Sequence, residues 1–73
     1  MEILKSFVTC NLGQAHKECN FTRNVFMIPA GIIRRADGTY RVVKGARQIY
    51  TGERRIDSKL IAVYPISGQI KFL

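Results

Sequence analysis

The chain has no tryptophan, two prolines, two cysteines and only five acidic residues among its 73 positions. Its longest apolar stretches, 25–33 and 60–66, are each interrupted by a proline, and neither approaches the roughly 18–20 residues of a membrane-spanning helix. The N-terminus has an acidic residue at position 2 and Lys5 within its first apolar run, which is not typical of a secretory signal. These absences predict a cytoplasmic protein without a membrane span.

Motifs for catalysis and metal binding are also scarce. Neither G-x-G-x-x-G nor G-x-x-x-x-G-K-[ST] occurs, so the chain has no glycine-rich phosphate loop. Cys10, His16 and Cys19 have the spacing C-x5-H-x2-C, whereas structural zinc commonly uses four ligands that include a closely spaced cysteine pair. A disulfide is disfavoured because the cytosol keeps thiols reduced. We therefore expect two ordinary thiols and no metal or cofactor.

Size argues against an enzyme. A chain of 73 residues predicts a single domain over 1–73, and such a domain buries only about 60% of the surface that its unfolded chain exposes. A deep catalytic cleft would remove core that the domain needs. His16 and Cys19 lie three residues apart, within reach on a helix, but no orienting acid or oxyanion-hole motif accompanies them. We expect a binding protein with no catalytic residues.

Local patterns predict an α+β fold with one short helix and a small antiparallel sheet of four to five strands. Residues 2–9 are rich in strand-forming residues and predict a first strand. Asn11 followed by Gln14 is typical of a helix N-terminus and predicts a helix over 12–20. Residues 25–35 predict a second strand, bent or bulged near its proline and glycine.

Two turn signals predict hairpins further along the chain. Asp37-Gly38 favours a type I′ turn that pairs 32–35 with 40–44. Ser67-Gly68 predicts a weaker hairpin between 59–66 and 69–73. Two alternatives remain open at this point: residues 53–63 also fit a helical pattern, and the β-rich part also fits a small SH3- or OB-like barrel.

Glycines recur at 31, 38, 45 and 52, and the six residues after each of them contain an arginine. One interpretation is a meander of short strands in which each strand presents one basic row. The other is that turn glycines recur by chance in a small β-rich protein. We favour the second interpretation because the four units share no other pattern.

The charge balance carries the functional signal. Twelve lysines and arginines against five acidic residues give a net charge of +7, which predicts acidic or polyanionic partners. Arginine binds carboxylates and phosphates through two parallel hydrogen bonds, and it stacks on bases. The charge is concentrated in one basic segment, which we expect to form an outward binding face: Arg34, Arg35, Arg41, Lys44, Arg47, Arg54 and Arg55.

Two tyrosines, Tyr40 and Tyr50, are interleaved with these cations. Aromatic rings between cations are typical of surfaces on which single-stranded nucleic acids stack their bases. The alternative is that both tyrosines are core residues with solvated hydroxyl groups. Strand alternation places Tyr40 with Val42 on one face and Arg41 with Val43 on the other.

In size, basicity, β content and lack of catalytic motifs, the whole chain resembles small phage-encoded regulators that bind host RNA polymerase. The resemblance implies a viral, non-enzymatic inhibitor or antiterminator that acts in the host cytoplasm and contacts the polymerase near its DNA or the RNA exit path. The residues themselves leave two partners open. One is an acidic protein surface of a nucleic-acid machine such as RNA polymerase, and the other is DNA or RNA bound directly without sequence specificity.

Overall fold

A computed structural model describes residues 7–47, 49 and 58–73. Its strands form one antiparallel sheet in the order β1-β3-β2-β4-β5, which confirms the predicted α+β class with a short helix and a small antiparallel sheet. The described strands leave β1 and β5 at opposite edges and do not close into the alternative barrel. The elements in chain order are β1 (Phe7–Thr9), α1 (Leu12–Phe21), a π-helical turn (Thr22–Phe26), β2 (Ala30–Arg35), β3 (Tyr40–Lys44), β4 (Ser58–Tyr64) and β5 (Lys71–Phe72).

The helix α1 begins as the sequence predicts, with Asn11 as its N-cap. The Gln14 amide donates a hydrogen bond to Asn11 Oδ1 at 3.1 Å, which satisfies one of the free N–H groups of the first turn. The Thr9 hydroxyl donates to Gln14 Oε1, and the Asn11 amide donates to Thr9 Oγ1, each at 3.1 Å. In a capping box, the Gln14 side chain would accept a hydrogen bond from the Asn11 amide. Here it accepts one from Thr9 at the end of β1 instead.

Side chains pack on both faces of the sheet. Ala15 and Cys19 of α1 are fully buried against one face. Their cluster is completed by Ala30, Ile32, Val42, Ala62 and Tyr64. A second, smaller cluster lies on the opposite face and contains Ile33, Val43 and Leu60, with Ile49 and Val63 packed against it.

The strand predicted over 25–35 begins only at Ala30, so its first part is a correction. Val25 belongs to the π-helical turn, which continues directly from α1. Met27 then adopts the left-handed conformation with φ 59° and ψ 37°, and the chain turns into the sheet. The predicted bend or bulge near Pro29 and Gly31 is also displaced. The register shift lies between Ile32 and Ile33, opposite Ile61 of β4.

The hairpin around Asp37-Gly38 forms with the predicted pairing but with a different turn. Of the two residues Asp37 and Gly38, only Gly38 has a positive φ, at 88°. A type I′ turn needs a positive φ at both of its central residues. The Gly38 amide donates to the Arg35 carbonyl at 3.1 Å, and the Arg35 amide donates to the Thr39 carbonyl at 2.9 Å. These bonds are typical of a three-residue loop, in which a type I turn is followed by a left-handed glycine.

We expect Gly38→Val to destabilise the fold by about 1–2 kcal/mol, because a β-branched residue is strained at this φ. No heavy atom of the described residues lies within 4 Å of a Cβ at this position, so the expected cost comes from the backbone. Urea unfolding monitored by circular dichroism measures the loss. Gly38→Asn is the control and should cost less, since asparagine tolerates the left-handed region. Equal stability of Gly38→Val and the wild type would contradict this turn.

The second hairpin also forms, in a shorter version than predicted. β5 pairs with β4 through the partners Ala62↔Phe72 and Val63↔Lys71. Residues 58–63 are therefore a strand and not the alternative helix, while 53–57 lie outside the described residues.

The spaced glycines have unrelated roles, which fits chance recurrence better than a meander. Gly31 is buried inside β2, where an added Cβ would lie 3.1 Å from Leu60 Cδ1. Gly38 closes the first hairpin, and Gly45 has a φ of 94° directly after β3. Gly52 lies outside the described residues.

Candidate interaction surface

The exposed cations of the first hairpin are arranged by strand register. Arg34 of β2 is the direct antiparallel partner of Lys59 on β4, and on its other side it is the partner of Tyr40 on β3. Directly paired residues of antiparallel strands share a face with Cβ atoms about 4.5–5.5 Å apart. Arg34 and Lys59 are both exposed, and Tyr40 is partly buried against the main core. Lys59 was not among the predicted site residues, because the β2–β4 pairing has no local signal in the sequence.

Like charges that face each other across two strands destabilise a sheet. Within 7–47, 49 and 58–73, no carboxylate forms an ion pair with Arg34 or Lys59. The nearby acidic residue Asp37 instead accepts two hydrogen bonds from Thr39, one from its hydroxyl at 2.6 Å and one from its amide at 3.0 Å. These bonds, together with the positive charge of Arg35, hold the pKa of Asp37 below its usual value. We call Arg34, Lys59 and the neighbouring Arg35 the basic strip, in which Arg34 and Lys59 share one face of the sheet and Arg35 lies on the other.

The other described cations of the basic segment do not share one face with Arg34. Successive residues of a strand point to opposite sides, so Arg35 lies on the face opposite to Arg34. Arg41 is paired with Ile33 and lies on that opposite face too, where it is partly buried. Arg47 is exposed beyond the end of β3. The cations therefore surround the hairpin end of the sheet instead of forming a single row.

Lys44 departs most from the predicted outward face. Only 8% of the residue is exposed, and its Nζ donates a 2.8 Å hydrogen bond to Glu18 Oε2 of α1. The physical reason is alternation along β3, which places Lys44 on the same face as Tyr40 and Val42, under the helix. Lys44 is therefore a structural ion-pair partner and is not available on the surface.

Of the two predicted stacking residues, Tyr40 is partly buried and packs against the main core, which fits its alternative interpretation as a core residue. Three of the predicted site residues lie outside the described residues: Tyr50, Arg54 and Arg55.

The residues considered for metal and thiol chemistry are not brought together. Cys10 is an exposed free thiol before α1, whereas Cys19 is a buried free thiol within it. No group of three potential metal ligands occurs in the part of the chain that the structure describes. Burial raises the pKa of the Cys19 thiol to about 12, with a smaller contribution from the negative charge of Glu18. At neutral pH this thiol is protonated, so it is a poor nucleophile.

We expect the two thiols to react very differently with a thiol reagent at about pH 8, because the thiolate is the reactive species. One equivalent should react rapidly in the native protein and a second only in denaturant. Cys10→Ser should remove the rapid phase and leave the slow one. Rapid reaction of two equivalents in the native protein would contradict the burial of Cys19. Because folding raises the pKa of Cys19 from 9.0 to about 12, its contribution to stability should be complete below pH 9 and decline as the pH rises towards 12.

A polar contact that the sequence does not reveal joins α1 to β4. His16 Nδ1 lies 2.8 Å from the Tyr64 hydroxyl oxygen, in a hydrogen bond between residues 48 positions apart. The Arg23 guanidinium lies over the Tyr64 ring at 5.4 Å from its centroid. Burial raises the pKa of Tyr64, and Arg23 opposes this rise. Tyr64 therefore contacts both the middle of α1, through His16, and the π-helical turn that follows it, through Arg23.

Comparison of the chain with models of protein families, with curated proteins and with solved structures finds no match. Among the described residues, no helix has the length and apolar character required to cross a membrane.

Proposed function

We propose that the protein is a small, basic, non-enzymatic binding protein that regulates transcription as an inhibitor or antiterminator by docking on RNA polymerase or a similar nucleic-acid machine. The observation that carries this proposal is the exposed cross-strand pair Arg34 and Lys59 beside Arg35, with which no carboxylate of the described residues forms an ion pair. Like charges paired across two strands are unfavourable for the sheet, and an acidic partner surface would bind both of them favourably.

The composition of the strip supports an acidic partner surface. Arg34 and Arg35 each offer a planar guanidinium group that binds a carboxylate through two hydrogen bonds. Exposed charges seldom contribute more than about 1 kcal/mol to stability, so selection for folding alone gives little reason to concentrate them. A net charge of +7 on 73 residues would also accelerate association with an acidic partner.

A second candidate function is direct binding of DNA or RNA without sequence specificity. The observation that favours it is Tyr40, which lies next to Arg34 in the cross-strand register. A ring beside a guanidinium group suits base stacking together with a phosphate contact. The partial burial of Tyr40 against the core is the reason that we place this candidate second.

Binding to purified bacterial RNA polymerase and to a single-stranded oligonucleotide distinguishes the two candidates. We expect the protein to bind the polymerase with the same affinity before and after nuclease treatment, and to bind the oligonucleotide more weakly than about 1 µM. Loss of polymerase binding after nuclease treatment, together with sub-micromolar oligonucleotide affinity, would favour the second candidate. No affinity for the polymerase in either condition would refute the first.

A further inference from the structure

Four large apolar side chains are exposed within residues 21–27, at the end of α1, in the π-helical turn and at the residue that follows it. The exposed fractions are 51% for Phe21, 55% for Val25, 38% for Phe26 and 63% for Met27. The rings of Phe21 and Phe26 pack edge to face with their centroids 5.8 Å apart. We call these four residues the apolar knob. Contiguous exposed apolar groups of this kind commonly mark interaction sites.

The backbone at Met27 is strained, and no burial of its side chain compensates for this strain. Its φ of 59° lies in the left-handed region, which is unfavourable for a residue other than glycine. Helices that end in this conformation commonly place glycine or asparagine there. Since the methionine side chain is mostly exposed, packing within the chain does not explain why a residue other than glycine occupies this position. Strain of this kind, when observed, is a reason to look for a function.

The knob is held in place by its polar neighbours. The buried Thr22 hydroxyl donates a 2.8 Å hydrogen bond to the Glu18 carbonyl in the preceding turn. The Arg23 Nη2 donates to Asn20 Oδ1 at 2.9 Å while its guanidinium lies over the Tyr64 ring. A surface that is ordered before binding loses less entropy when a partner docks.

The charges around the knob indicate the chemistry of its partner. Lys17 lies exposed one helical turn before Phe21, and Arg23 lies within the π-helical turn itself. The nearby acidic residue, Glu18, is neutralised by its ion pair with Lys44. An apolar surface with a positive border is complementary to an apolar pocket with an acidic rim.

Two other occupants fit these observations less well. A second copy of the chain would bring together two molecules that each carry a net charge of +7. A lipid surface would have to accept the exposed side chains of Asn20 and Asn24 beside the knob. Hydrocarbon offers these amides no hydrogen-bond partners, whereas a protein surface does.

We infer that the apolar knob is a second docking element, which inserts into an apolar, acid-rimmed pocket on a protein partner. This inference rests on the proposed function, because it names how the same regulator would hold its polymerase. The basic strip would supply attraction over a distance, and the knob would supply the desolvated contacts that dominate affinity in most interfaces.

A matched pair of valine substitutions tests the knob against purified bacterial RNA polymerase. Val25→Ser changes a valine of the knob that is 55% exposed. The control, Val8→Ser, changes a valine on β1 that is 48% exposed. We expect Val25→Ser to raise the Kd by about tenfold or more, since truncation of a central apolar contact commonly has that effect. Val8→Ser should change it less than about twofold.

Met27→Gly gives a readout that does not depend on loss of folding. Glycine relieves the left-handed strain, so the variant should unfold at a higher temperature than the wild type. It also removes the most exposed side chain of the knob, so its affinity for the polymerase should fall. Higher stability with weaker binding would support the inference, whereas higher stability with unchanged binding would overturn it.

The remaining outcomes separate this inference from the proposed function. If the wild type binds the polymerase and Val25→Ser binds equally well, the knob inference fails and the proposed function stands. If the wild type does not bind the polymerase, both fail. Self-association in sedimentation experiments, or binding to anionic phosphatidylserine vesicles, would overturn the assignment to a protein partner if Val25→Ser abolished it.

Discussion

Replacing Arg34 with glutamate is expected to weaken binding to RNA polymerase at least about tenfold, because a repulsive charge across an interface costs several kcal/mol. The same substitution should leave the fold intact or make it more stable. Arg34 is paired with Lys59 across β2 and β4, so a glutamate converts a repulsive pair into an attractive one. Such a change contributes about 0.2–1 kcal/mol. Binding by fluorescence anisotropy and thermal unfolding of the same samples measure both effects.

The control for Arg34→Glu is Lys71→Glu, which makes the same change in net charge on the exposed edge strand β5. It should weaken binding much less. The double variant Arg34→Glu with Arg35→Glu should reduce affinity further, by about 100-fold or more. Normal binding of the double variant would show that the basic strip only solvates the surface. Unfolding of the double variant would show that these arginines are structural.

Lys44→Met is expected to destabilise the fold by about 2–3 kcal/mol, because it leaves the Glu18 carboxylate without its cation. The side chains of Lys44 and Glu18 are only 9% and 25% exposed, so water compensates the lost ion pair poorly. We place the cost below the roughly 3–5 kcal/mol of a fully buried pair, since part of Glu18 remains solvated. Urea unfolding measures the loss.

A second substitution separates the lost ion pair from a lost packing contact. Adding Glu18→Gln to Lys44→Met removes the uncompensated charge and should recover a large part of the stability. Folded Lys44→Met should bind the polymerase as the wild type does, because Lys44 lies under α1 and away from the surface. A specific loss of binding with unchanged stability would return Lys44 to the interaction surface.

Local signals allowed the helix start and the hairpin pairing to be predicted. Asn11 caps α1 through a contact with Gln14, three residues away, and such contacts depend on little else. The prediction of a two-residue type I′ turn at Asp37-Gly38 was wrong, because Asp-Gly fits both two-residue and three-residue hairpin loops. The hydrogen bonds from Thr39 to the Asp37 carboxylate fit the three-residue loop.

The less predictable features depend on pairing between distant segments. Val25 has a high strand propensity, yet it lies in a π-helical turn that continues from α1. Lys59 joins Arg34 only through the register of two strands that are far apart in the chain. Alternation puts Lys44 on the same face as Tyr40 and Val42, but it does not show which face is the core, so the burial of Lys44 was not predicted.

The dependence of polymerase binding on salt tests the claim that the basic strip binds an acidic protein surface. We predict that affinity falls as salt rises, with a shallower slope in Arg34→Glu, because one attractive charge has been removed. The slope should also be shallower than that for nucleic acid, where log K falls by about 0.9 per phosphate contact and four contacts would give roughly −3.6. Affinity that is independent of salt, or a slope that Arg34→Glu leaves unchanged, would contradict the claim.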